Sequence, residues 1–146
     1  MFVELKQRSI AKVRKQFEKL FSRKKPFDAK LRGAIGLYLS SLVPENREVA
    51  RLNAEFLAEA PKIPKLNDML KDQYEMFRGL IASTVGEAIE KGELRGDIDP
   101  EIVSMILLAM LDGLELHWAI LELDFDWEKV KENLLDVLIK GMRPRE

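Results

Sequence analysis

The chain has 146 residues, no cysteine and a single histidine, His117. That is the length of one domain, and it excludes disulfides, thiol chemistry, Cys-ligated metals and multi-His metal centres. Lys plus Arg is 24 and Asp plus Glu is 25, a net charge of −1, with 47% hydrophobic and 34% charged residues; the composition is globular, neither disordered nor polybasic as a whole.

The first predicted helix runs from about Phe2 to Ser22, with a stripe of Leu5, Ser9, Val13, Phe17, Leu20 and Phe21, and Pro26 ends it. Charges recur along it, so no secretory signal is expected. Residues 1–25 hold nine basic side chains against Glu4 and Glu18, a balance of +7 that leaves −8 for residues 26–146. Such asymmetry fits either a contact with an anionic partner or a plain solvated helix face. A second helix covers about Phe27 to Leu42, with Leu31, Ile35, Tyr38 and Leu42 on one face. Gly33 and Gly36 lie inside it and point to a close helix approach.

Pro44 is read as the first turn of a third helix, with Val49, Leu52, Asn53, Phe56, Leu57 and Ala60 as its stripe. A long fourth helix follows, about Pro64 to Lys91, and Gly92 stands where a left-handed residue ends a helix. Asp99 and Pro100 open a fifth, about Pro100 to Glu122, as cap and first residue. One of its faces reads Ile102, Met105, Ile106, Ala109, Gly113 and Leu116, and another Val103, Leu107, Met110, Leu111, Leu114, Trp118 and Leu121. Its interruptions by Ser104, Asp112, Glu115 and His117 argue against a lipid-spanning segment and for a buried helix in a cytoplasmic protein. Asp126 caps a sixth helix, about Trp127 to Met142.

The expectation is an all-α, six-helix domain over residues 1–146. Helix five is apolar nearly all round and must be covered all round. A homodimer in which the last two helices pair with their copies as a four-helix bundle would supply that cover. Leu111, Leu114, Trp118, Leu121, Leu134 and Leu138 are the candidate interface. A monomer with a fully covered central helix is the alternative.

Catalytic signatures are absent. There is no phosphate-binding glycine loop and no nucleophile elbow, and neither a metal nor a cofactor is expected. Asp112, Glu115 and His117 are the one cluster an enzyme could use; a hydrogen-bonded core or interface role is the plainer reading of His117. Polar residues do interrupt the apolar stripes at Asn53, Gln73, Tyr74 and Thr84. Apolar and aromatic walls with a few orienting polar groups describe a small-molecule pocket. The candidate pocket comprises Phe17, Tyr38, Asn53, Phe56, Gln73, Tyr74, Phe77, Thr84 and Met105. These positions carry no fixed charge, so an apolar or amphipathic ligand is expected.

Several segments carry a family resemblance. They are Arg47 through Ala60, Leu70-Lys71-Asp72-Gln73-Tyr74 on to Gly79-Leu80-Ile81, the turn Lys91-Gly92-Glu93-Leu94-Arg95-Gly96-Asp97-Ile98-Asp99-Pro100, and Leu111-Asp112-Gly113-Leu114. In this order and spacing the chain resembles the C-terminal, effector-binding region of TetR/AcrR-type transcriptional regulators. The resemblance implies a small effector in the helical core and dimerisation through the last two helices. It also implies that residues 1–25 form the basic helix connecting to a DNA-binding helix-turn-helix, which this sequence lacks. DNA would be reached only through that missing part, and no membrane is involved. The implied function is the regulatory domain of a repressor and not an enzyme; the alternative is a helical adaptor that docks another protein through helix five.

Overall fold

The computed structural model describes residues 2–145, with side chains from Arg8 onward except Ser9, so the stripe positions Leu5 and Ser9 lie outside the described side chains. It has six helices: α1 (Phe2–Ser22), α2 (Phe27–Ser41), α3 (Arg47–Glu59), α4 (Pro64–Glu90), α5 (Pro100–Ile120) and α6 (Trp127–Met142). A 3-10 turn, Ala60–Lys62, joins α3 to α4. Among the described residues there is no strand.

The helix starts follow local chemistry. Asp99 accepts the Glu101 and Ile102 N–H groups, and Asp126 accepts that of Lys129. α3 departs from expectation. Its cap is Asn46, whose side chain accepts the Glu48 N–H at 2.7 Å, so Pro44 lies before the helix and not in its first turn. A side-chain acceptor satisfies an orphan amide, which proline can only omit.

α5 packs against α4 and α3, α1 against α4 and α2, and α6 against α2. The main core gathers Leu31, Ile35, Val85, Leu107 and Leu135 from four helices. It is locked by the turn after α4. Gly92 takes φ +76°, its N–H donates to Ile89 O, and the Glu93 N–H donates to Ala88 O at 2.9 Å. This left-handed closure satisfies the last carbonyls of α4. Glu93 then accepts the Phe27 N–H at 2.6 Å, capping α2, and the Arg95 N–H donates to Met142 O at 2.9 Å, holding the end of α6. Leu94 and Ile98 are buried beneath. The Gly-Glu-Leu-Arg turn thus fastens three helices together.

Of the two glycines in α2, one marks a close approach. A Cβ on Gly33 would meet Leu20 Cδ1 at 2.9 Å, whereas Gly36 has open space around it. The expectation holds for Gly33 and is corrected for Gly36.

The largest correction concerns α5. Trp118 is buried inside the protomer, meeting Trp127 edge-on at 5.8 Å with the Arg47 guanidinium 5.3 Å from its ring. Leu134 and Leu138 pack on the main core, and Leu111 packs beside Tyr38. Leu114 is half-buried. Of the predicted interface residues, only Leu121 is well exposed, at 60%. The face that is open is the other one: Ile102 is 50% exposed, Met105 46%, Ile106 50% and Ile120 54%. Both α5 faces are apolar, so periodicity did not choose between them; Trp118 did, because Arg47, Arg51 and the loop after α5 close over it. Arg51 donates from Nε to Ala119 O and from Nη2 to Glu122, each at 2.7 Å. By length and composition α5 could cross a bilayer; here it packs on α3 and α4 along one side and is not covered all round.

Candidate effector cavity

All six helices contribute to the wall of a cavity of about 290 Å³. Eight of the nine residues singled out in the sequence lie on that wall: Phe17, Tyr38, Asn53, Phe56, Gln73, Tyr74, Phe77 and Thr84. Met105 does not; it sits on the open outer face of α5. It shares an open stripe with Ile102 and Ile106; Leu108 and Asp112, three and seven residues further on at the edge of that stripe, reach the wall where Met105 does not.

The aromatic residues do not collapse on one another. Phe17 meets Phe77 edge-on, with centroids 5.2 Å apart, and Phe21 lies 6.1 Å from Phe17. This contact joins α1 to α4 and is an ordinary favourable aromatic geometry. Space remains around it. Ile10, Phe17 and Phe21 put α1 directly on the wall, while its basic residues Arg8, Lys12, Lys15 and Lys19 are exposed and, by helical spacing, lie on the other side. The Thr84 hydroxyl donates to Leu80 O at 2.8 Å, so it is satisfied within α4.

The wall also holds charge that sequence reasoning missed. Asp112 and Glu115 both line the cavity. The Tyr38 hydroxyl, on α2, donates to Glu115 Oε2 at 3.0 Å. Burial, and then the neighbouring carboxylates of Glu115 and Asp112, push the Tyr38 phenol far above the ordinary tyrosine range. It therefore stays a neutral donor. Asp112 keeps surface open to water but is flanked by protein, and burial raises its carboxyl above the ordinary value against a lowering hydrogen bond from Tyr38. A signal for these two existed. Leu108, Leu111, Asp112 and Glu115 follow the i, i+3, i+4, i+7 spacing of one helical face. Reading α5 only through its apolar residues hid that stripe. The expectation of a wall without fixed charge is thus corrected.

His117 is exposed and off the cavity wall, so the Asp112, Glu115 and His117 cluster is not assembled around the cavity. Among the described residues, no three His, Cys, Asp or Glu side chains are grouped to hold a metal ion.

The fold is similar to a solved structure of GusR from Salmonella enterica, with a TM-score of 0.58 over 94% of this chain and 72% of that one. At 20% identity that likeness shows the fold alone. No curated protein sequence matches the chain. A family model described as the C-terminal domain of BetI-type transcriptional repressors matches residues 27–141, from the first residue of α2 to the last turn of α6. On that span, the six-helix order and the turn that fastens it, the chain belongs to the BetI-type C-terminal family of TetR-like transcriptional regulators.

Proposed function

We propose that this chain is the ligand-binding and dimerising regulatory domain of a TetR-like repressor, acting in the cytoplasm. The observation that carries this reading is the cavity of about 290 Å³, whose wall includes α1 itself through Ile10, Phe17 and Phe21. A ligand there touches the helix that, in a full regulator, leads to the DNA-reading part. The ligand shifts the regulator only if it binds two positions of α1 with different affinity, and the coupling then acts equally on DNA affinity. The exposed basic face of α1 lies on the side away from the cavity, suited to phosphates nearby.

The dimer face in this reading is the open apolar side of α5, Ile102, Met105, Ile106 and Ile120, with Val137 of α6, which is 65% exposed. It replaces the inward-facing set expected from the sequence. A symmetric pairing of α5 and α6 with their copies removes this surface from water.

Two measurements test the proposal. Light scattering should give twice the 16.8 kDa chain mass, and Ile106→Glu should give the single mass. Titration with the neutral apolar fluorophore N-phenyl-1-naphthylamine should saturate at one site per chain and protect the amides of α1 from hydrogen exchange. A stable monomer that binds no fluorophore would leave the adaptor reading in its place.

A further inference from the structure

Among the described residues of the cavity wall, three are exposed: Leu57 of α3, at 53%, Tyr74 of α4, at 39%, and Asp112 of α5. The others are buried or half-buried. A lone exposed leucine needs no explanation, because folded surfaces are rich in apolar atoms. A residue that faces both solvent and an internal cavity marks where the two meet. The register of α3 on α5 brings two of them together. Arg47 Nη2 donates to Leu123 O at 2.9 Å, and four residues on, Arg51 Nε donates to Ala119 O at 2.7 Å, four residues back. α3 therefore runs antiparallel to α5 and in step with it. Six residues beyond Arg51 is Leu57, and six before Ala119 is Gly113, the neighbour of Asp112. Both spans are helical and rise equally, so Leu57 and Asp112 lie at about one level. α4 returns from the 3-10 turn to pack on α5 and brings Tyr74 as the third side.

We propose that small apolar ligands enter and leave the cavity through a mouth between α3, α4 and α5, rimmed by Leu57, Tyr74 and Asp112, with the Tyr74 ring swinging aside to pass them. This rests on the reading of the cavity as the effector site and adds its route. Elsewhere the wall is shut: Phe27, Leu31, Ile35 and Tyr38 of α2 are buried, as are Phe17 of α1 and Leu107 of α5. Two of the three rim residues are apolar or aromatic, so an apolar body crosses the rim past a single charged group, with little polar desolvation. Tyr74 is exposed, so its ring has solvent to move into. Entry and read-out then occupy different sides of the domain. The described wall residues of α1 are buried or half-buried, so a ligand reaches that helix from within, and α1 need not move aside to admit it.

Stopped-flow mixing of the full chain with N-phenyl-1-naphthylamine reads the rates through the fluorophore's emission. The chain has no cysteine, so a single introduced thiol takes a maleimide-polyethylene glycol at one place. Attached at Leu57→Cys, the polymer should slow association and dissociation alike, by about tenfold or more, with Kd unchanged within about threefold, because a barrier on the route acts in both directions. Attached at Leu52→Cys, on the same helix, 45% exposed and off the wall, it should change neither rate. Tyr74→Ala should raise both rates. Circular dichroism confirms that each variant is folded. Unchanged rates with the polymer at Leu57, or equal slowing from Leu52, overturn the route and leave the cavity reading standing. A loss of affinity carried by dissociation alone makes Leu57 a ligand contact and not a gate, and overturns the route too. Failure of the unaltered chain to bind the fluorophore overturns the cavity reading together with the route.

Discussion

Two leucines of α6 provide a direct measure of whether the cavity is open space. Leu135 is 1% exposed in the main core. Leu138, one turn on, packs partly on the same core and also lines the cavity. Leu→Ala at either site deletes the same three carbons, worth about 2–2.5 kcal/mol of transfer free energy at full burial. At Leu135 the deletion also leaves a new void among close-packed neighbours, so the cost should reach about 3–5 kcal/mol. At Leu138 one side already faces open space and burial is partial, so the cost should fall to about 1–2.5 kcal/mol. Urea unfolding by circular dichroism gives both numbers from midpoint shifts at unchanged slope. Both variants must be compared at one protein concentration, because association makes apparent stability concentration-dependent. Equal costs at the two positions would refute the reasoning, for they would mean Leu138 is packed as tightly as Leu135 and no cavity adjoins it.

Gly92→Ala should cost about 1 kcal/mol, through backbone strain at φ +76° alone, since nothing lies where its Cβ would go; thermal unfolding measures it. Glu93→Ala should lose about 1–2 kcal/mol by leaving the Phe27 N–H without its carboxylate acceptor, with Glu93→Gln recovering part of the loss. Asp112→Asn should raise the melting temperature at neutral pH. The folded carboxyl titrates above its ordinary value of 3.8, so above pH 3.8 the native state retains a proton that the unfolded chain has released. Stability from this group therefore falls as pH rises through that window. The variant's melting profile should lose this fall, and parallel profiles for the two proteins would contradict it. Ile106→Glu should abolish self-association without lowering helix content, since Ile106 is half exposed within the protomer.

Most element boundaries are legible in the sequence because caps and breakers act locally. Pro26, Asp99-Pro100, Asp126 and Gly92 each set a helix end through a backbone group or a φ value they alone suit. The start of α3 was misplaced because Pro44 and Asn46 both offer a start, and only the Asn46 hydrogen bond to the Glu48 N–H distinguishes them. Eight of the nine candidate pocket residues lie on the cavity wall because polar and aromatic interruptions of an apolar stripe survive in the fold as a shared face. Asp112 and Glu115 were missed on that wall because charge on a helix ordinarily faces water.

What the amino-acid sequence determines by itself is the all-helical class, six segments, and an unusually apolar α5, since these depend on periodicity and on contacts a few residues apart. Which side of α5 faces inward is a tertiary decision. Both of its stripes satisfy the helical period, and the choice falls to residues distant in the chain: Arg47 over Trp118, Arg51 on Ala119 and Tyr38 on Glu115. The same rotation that turns Trp118 inward carries Asp112 and Glu115 to the cavity wall and leaves Ile102 and Ile106 outside. The chemistry of the cavity and the apolar surface left open thus follow from one orientation, set by packing and not by pattern.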